Sequence, residues 1–251
     1  MNLRDSQRAA IAMLALVCTL LLWPCLSAAG SFGVTPIRLD FDRNTKTGVL
    51  KISNDADEPL QVQIKAFTWT QDAEGKDHYE ESADIIFFPK IMTLAKQEHK
   101  LLRAGIQLPA LQTEKTYRLF IEEMPGVSTG AARGTQVAVR IRFGVPLFVK
   151  PLTAAPQGTI AELSLHAGTL TILVHNTGNE HFIINTIRLQ SGDLFRTELQ
   201  GWYVLAGASR TYQAPIPPEV CRQLSALDVT IHTDKLDLQR QTAVAPSMCQ
   251  P

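Results

Sequence analysis

The feature that most constrains this chain is a period-two alternation of apolar and polar residues, repeated in short runs that turn residues cut off. A helix cannot use that pattern, because its apolar positions recur every three or four residues, whereas a strand with one face on a core requires it. Residues 48–54 and 60–70 alternate around the turn Asn54, Asp55, Ala56 and Asp57, which predicts two strands joined by a tight loop. Residues 33–42, interrupted by Pro36, and then 85–88, 100–106, 116–124 and 137–149 supply further strands. Seven strands in about 120 residues, with turn signals between them, is the pattern of a β-sandwich. Pro151 and Pro156 bracket a short, weakly apolar connector, beyond which the pattern resumes at 159–165, 169–175, 182–189, 202–205, 209–214, 227–232 and 239–244. The expected architecture is all-β, with a first domain over residues 31–151 and a smaller sandwich over 157–251.

Arg4 and Arg8 precede an apolar run from Ala9 to Trp23, and the small residues Ser27, Ala28, Ala29 and Gly30 follow it. That order reads as a secretory signal peptide over residues 1–30. A membrane anchor is the other reading of the run, and Pro24 with the small-residue cluster favours cleavage. Cys25 has no small residue beside it on the N-terminal side, which argues against a lipoprotein. The chain carries 24 basic and 24 acidic residues, and loss of Arg4, Asp5 and Arg8 with the signal leaves 22 and 23. No global field therefore recruits nucleic acid or lipid, and no membrane insertion is expected after cleavage. Cys18 and Cys25 leave with the signal, so Cys221 and Cys249 remain. In an oxidising compartment they can form a disulfide; the alternative is two separate thiols, one buried and one on a frayed tail. Neither has a second Cys or a His at ligand spacing, so no metal or other cofactor is expected.

Within residues 137–149 the alternation is strict: Val137, Val139, Ile141, Phe143 and Val145 share one face, and Ala138, Arg140, Arg142, Gly144 and Pro146 the other. The lead-in, residues 126–136, is rich in Gly, Ser, Ala and Thr and can hold no core. Taken alone, this is either an ordinary core strand or a strand that shows its apolar face to a visiting chain. Enzyme readings fail on local motifs, since no nucleophile elbow, HExxH, phosphate loop or EF-hand loop occurs. His175 and His181 flank NTGNE and read as the borders of a hairpin turn. Trp69, Trp202 and Tyr203 are too scattered along the chain to suggest a carbohydrate platform.

Four ordered segments, VTPIRLDFD, LKISND, YRLFIEEMP and VAVRIRFGVPLFVKP, followed by HNTGNEHF and LQGWYVLAGASR, resemble the PapD-like periplasmic pilus chaperones of the chaperone-usher pathway. The resemblance is closest to the divergent branches that serve thin, archaic-type pili or spore-coat-like subunits. It implies two immunoglobulin-like β-sandwich domains in an L-shaped arrangement with an interdomain cleft. It further implies residence in the periplasm, pilus or fimbrial subunits as clients, and an outer-membrane usher as the recipient. The mechanism it implies is donor-strand complementation, in which the chaperone lends an edge strand to an incomplete subunit. Carried over residue by residue, the donor side chains are Val137, Val139, Ile141 and Phe143, with Val145 as an extra, and Arg38 is the anchor for the subunit's terminal carboxylate. Pro146 stands where the family carries a lysine, leaving Arg142 or Arg103 to replace it. Glu123, Lys150 and Asp234 would form a salt bridge between the domains. An exposed apolar strand is a liability that proteins tend to cover, and self-association of the free protein is one way to cover it. The rival class is a structural or adhesive extracellular sandwich such as a pilus subunit, which would need one incomplete domain with a donor extension at its N-terminus.

Overall fold

A computed structural model describes residues 32–108, 111–125 and 140–250. The strands of the first half are β1 (Phe32–Thr35), β2 (Leu39–Phe41), β3 (Thr47–Asn54), β4 (Leu60–Gln71), β5 (Asp77–Glu81), β6 (Ile85–Phe88), β7 (Ile91–Leu94), β8 (His99–Ile106), β9 (Lys115–Glu123) and β10 (Arg142–Val149). Those of the second are β11 (Gly158–His166), β12 (Thr169–Asn176), β13 (Phe182–Ser191), β14 (Phe195–Gln200), β15 (Tyr203–Val204), β16 (Ser209–Pro215), β17 (Ala226–Thr233) and β18 (Asp237–Ala243). A single helical turn, α1 (Pro218–Cys221), and a 3-10 turn, Pro246–Cys249, complete the second half.

The strands pack as two sandwiches. Sheet β1-β3-β8-β6 faces sheet β2-β10-β9-β4-β5, on which β7 also pairs with β4. Sheet β11-β12-β16 faces sheet β14-β13-β17-β18, with β15 on β13. The alternation does what elementary geometry requires: along β4, Leu60, Val62, Ile64 and Ala66 point into the core, while Gln61, Gln63 and Lys65 point away from it. They meet Leu50, Ile52, Leu102, Leu119 and Leu147 in one core. The second core gathers Leu170, Ile172, Val174, Ile187, Leu189, Val229 and Ile231. Cys221 and Cys249 are joined as a disulfide that ties α1 to the 3-10 turn, and both are buried in the second core.

The turn after Asn54 is not a hairpin. It carries the chain from β3 in one sheet to β4 in the other, and Asn54 is buried at the crossing, donating to the carbonyls of Glu58 and Ala95. Asn176 repeats the device, donating to the carbonyls of Glu180 and Val204 as the chain leaves β12 for β13 in the facing sheet. The hairpin expected between His175 and His181 is therefore also an intersheet crossing. An Asn side chain that reaches main-chain carbonyls can direct either path, so local sequence does not distinguish them. Strand β5 escapes a sequence reading because it lies at a sheet edge with no buried position, and β14, also at an edge, carries only the short alternation Phe195, Thr197, Leu199 with none of them fully buried.

Candidate functional site

Strand β10 lies antiparallel on β9 from Arg142 opposite Glu122 to Val149 opposite Lys115. On its other flank, β2 runs parallel to it and covers only Leu147, Phe148 and Val149. Residues 142–146 thus have one flank that no strand covers among the described residues. The hydrogen-bond phase is fixed at both ends. Glu123 N–H donates to the Ile141 carbonyl at 3.0 Å, and Lys150 N–H donates to the Phe41 carbonyl, on the β2 side, at 2.8 Å. Because successive residues turn their main-chain groups to opposite flanks, Arg142 and Gly144 offer both N–H and C=O to the open side. Pro146 offers a carbonyl alone, and β2 takes over one residue later. A visiting strand can therefore extend this ladder only up to that point.

The side chains divide sharply along the inward face. Val145 is 1 % exposed and belongs to the protein's own core with Leu147 and Val149. Val145 is therefore no donor residue, contrary to the sequence expectation; a regular alternation does not say where a strand enters the body of its sandwich. Phe143 and Ile141 are half-buried at the rim of that core, with the Phe143 ring 5.8 Å from Phe32. Val137 and Val139 lie outside the described residues.

On the outward face, Pro146 and Phe148 are buried where the two sandwiches meet. Phe148 stacks on His181 at 3.8 Å and lies 6.1 Å from Trp69, which in turn lies 5.2 Å from Tyr203. Aromatic residues far apart in the chain thus form one cluster, and Arg118 of β9, in register with Pro146, lies within it. Its guanidinium sits 4.0 Å over Trp69 and 5.7 Å from Tyr203, and donates at 2.9 Å to the carbonyl of Gly144, a group on the open flank of β10. Arg118 is only 8 % exposed, its Nε has no partner, and the same is true of Trp69 Nε1. No carboxylate pairs with Arg118 among the described residues. A buried guanidinium held by aromatic faces and one carbonyl is a cation without its counter-charge.

Arg38, at the entry to β2, lies 5.9 Å from the Phe148 ring and is bonded at 2.9 Å to Asp40, partly exposed. Two guanidinium groups thus approach the same cluster at the place where β2 closes the open flank. Of the two sequence candidates for the missing lysine, Arg142 does share Pro146's face, but it is paired with Glu122 at 2.7 Å and laid over Phe120 at 3.6 Å. Arg103 stands on β8 in the opposite sheet, away from β10. Arg118 is the residue that sequence reasoning missed. Its only signal was an arginine among apolar residues on a central strand, and nothing in the sequence says that a second sandwich covers that face.

The salt bridge expected from Glu123, Lys150 and Asp234 is absent among the described residues. Glu123 accepts the Ile141 N–H, Asp234 accepts the Ile183 N–H at 2.7 Å, and Lys150 flanks a surface cleft with Asp42 and Leu152. The domains are joined elsewhere. Glu114 accepts from the main-chain N–H of His181 at 2.8 Å and bonds its Nδ1 at 2.7 Å, both residues being buried. Around this pair, Gln71 binds both the carbonyl of Tyr203 and the N–H of Leu205, and Arg210 binds the carbonyl of Gly75.

Two β-sandwiches joined about an aromatic cluster, one with a half-uncovered strand at the junction, have the architecture of the two-domain β-sandwich pilus chaperones. The PapD N-terminal domain of the pili and flagellar-assembly chaperones matches residues 31–155, and the chain belongs to the PapD-like chaperone family. Among solved structures, it is similar to a chain of the CsuC–CsuE chaperone–tip adhesion subunit pre-assembly complex from archaic chaperone-usher Csu pili of Acinetobacter baumannii. The identity there is 20 %, over 83 % of this chain and 98 % of that one, with a TM-score of 0.60. A chain of the Salmonella enterica SafA pilin–SafB chaperone complex shares 16 % identity over 84 % and 96 %, with a TM-score of 0.53. The Pseudomonas aeruginosa CupB2 chaperone shares 15 % over 84 % and 100 %, with a TM-score of 0.51. These likenesses are of fold. No curated protein sequence matches the chain.

Proposed function

We propose that this protein is a periplasmic chaperone that binds incomplete pilus subunits by pairing their exposed strand with the open flank of β10. The observation that carries the reading is that Arg142 turns its N–H and C=O, and Gly144 its N–H, toward a flank that no strand covers among the described residues, beside two half-buried apolar side chains, Ile141 and Phe143, while the Gly144 carbonyl takes Arg118. A subunit strand laid there gains main-chain bonds and covers those side chains, and the alternation of the sequence gives Val137 and Val139 the same donor role. Its terminal carboxylate meets Arg118 and Arg38 where Pro146 and β2 end the ladder, which fixes register; the visiting strand then runs parallel to β10. Register matters because a slip by one residue turns every apolar side chain away from its pocket. Residues 1–30 serve as the export signal, residues 31–151 and 157–251 form the two domains, and the loaded chaperone passes its client to an outer-membrane usher. The protein acts by binding and not by catalysis.

The test is co-expression with the subunits encoded beside it, followed by purification from the periplasm. Ile141→Asp with Phe143→Asp should abolish recovery of the chaperone–subunit complex while the chaperone itself remains folded by circular dichroism. Full recovery with that variant would remove the donor role.

A further inference from the structure

The tip of the hairpin between β4 and β5 rests on the second sandwich. Gly75 is buried there although Ala73, Glu74 and Lys76 around it are exposed, because β16 lies against it. Its φ is +83°, in the left-handed region that favours glycine. A Cβ at this position would stand 2.8 Å from both the Cα of Arg210 and the carbonyl oxygen of Ser209, main-chain atoms that cannot turn aside. The contact is also bonded, since Arg210 Nη1 donates to the Gly75 carbonyl at 2.8 Å. The tip is braced from within. Asp72 Oδ1 accepts the N–H groups of Glu74 at 3.1 Å and Lys76 at 2.8 Å, its other carboxylate oxygen bonds His78 Nε2 at 2.8 Å, and its carbonyl accepts the N–H of Gly75 at 3.1 Å. Either side of the tip, the hairpin holds the segment that carries Tyr203: Gln71 binds the Tyr203 carbonyl and the Leu205 N–H, and Trp202 Nε1 donates to Asp77 at 3.3 Å. The same segment is tied to β16, because the Trp202 N–H donates to the hydroxyl of Tyr212 at 3.2 Å.

We infer that Gly75 is a positioning residue for the Arg118 anchor: the side chain it lacks sets how closely the second sandwich seats on the aromatic cluster, and so how well water is kept from the guanidinium. The inference rests on the reading of Arg118 as the group that meets a subunit's terminal carboxylate. Carbon atoms in contact prefer about 3.5–4.0 Å, so a Cβ at Gly75 must push β16 away by about 1 Å. Packed interiors transmit such a shift, and Tyr203 moves off Trp69 and Arg118 with its sandwich. Water then reaches the guanidinium, and a charge-assisted bond formed beside it weakens as the local dielectric rises. The open flank of β10 belongs to the first sandwich and is left as it was. The signature is therefore selective, with recognition of the terminal charge falling and strand pairing surviving.

The experiment compares Gly75→Asn with Gly192→Asn in the protein purified from the periplasm. Asn tolerates positive φ, so both turns can still form; Gly192 has φ +49°, and a Cβ there meets nothing within 4 Å among the described residues. In the free protein, amide hydrogen exchange at Leu205 should quicken by roughly tenfold or more in Gly75→Asn alone, while the central strands β8 and β17 stay protected in both variants. A peptide copied from a subunit's last strand is then titrated in free-acid and amidated forms. Gly75→Asn should lower the preference for the free acid by roughly fivefold or more and leave affinity for the amide unchanged, a split that general destabilisation would not produce. Unchanged exchange at Leu205, the same effects in Gly192→Asn, or equal loss of both peptides would overturn the inference. The exchange measurement needs no subunit, so it decides how the sandwiches are seated even where wild type shows no free-acid preference, the result that would sink Arg118 as the anchor.

Discussion

Replacing Arg118 by methionine separates the cost of this side chain to the fold from its use to the site. In the free protein the guanidinium is desolvated, bonded to the Gly144 carbonyl and laid on Trp69, with no counter-charge among the described residues. Met keeps most of the apolar stem, so Arg118→Met forfeits one hydrogen bond, about 1 kcal/mol, and a cation–π contact of about 0.5–2 kcal/mol. It also removes a buried charge whose desolvation costs several kcal/mol, so the free chaperone should be as stable as before or more so. Binding should move the other way. A charge-assisted bond to a terminal carboxylate contributes about 1.5–3 kcal/mol, or roughly 10- to 150-fold in affinity. The assay is titration of a peptide copied from a subunit's last strand, in free-acid and amidated forms, against both proteins. Wild type should prefer the free acid, and Arg118→Met should reduce that preference by about this factor, leaving only what Arg38 supplies, a cycle that isolates the Arg118–carboxylate term. Equal preference in wild type, or a loss of stability matched by loss of both peptides, would refute Arg118 as the anchor.

Other perturbations probe the frame that holds the site. Opening the Cys221–Cys249 bond, which spans 28 residues, should destabilise the second sandwich by about 3–4 kcal/mol, read as a reductant-dependent fall in the melting of that half and matched by Cys221→Ala with Cys249→Ala. Glu114→Ala leaves the two His181 donors buried without an acceptor, at about 1–3 kcal/mol each, and should split a single unfolding transition into two as the sandwiches uncouple. Burial first, and then the bond to Asp84, hold the Tyr117 phenol protonated well above its usual range. Because the folded state keeps that proton more tightly, the contribution is full below about pH 10 and is lost as pH rises through the folded value. Tyr117→Phe should flatten the decline in stability above about pH 10, as followed by chemical denaturation across that range.

The sequence by itself determined the all-β class, nearly every strand with a buried face, and the segment that forms the site, because period two is imposed locally by the pleat wherever one face meets a core. It also held the motifs that resemble the chaperone family, in order, from VTPIRLDFD to VPLFVKP. What it could not determine were relations between distant segments. The crossings at Asn54 and Asn176 look like hairpin turns until the sheets exist. Val145 belongs to the same alternation as Phe143, yet only the depth of the sandwich makes one core and leaves the other at the rim. The cleft cation was sought in Arg142 and Arg103 by parity and chain position, and was found in Arg118, because a second sandwich covers the outer face of β9 and brings Tyr203 and His181 against Trp69 and Phe148. The interdomain tie moved likewise from Glu123, Lys150 and Asp234 to Glu114 and His181. Side-chain periodicity is a property of neighbours in the chain, whereas burial, counter-charge and an uncovered strand flank depend on which other surfaces arrive, and only tertiary packing decides that.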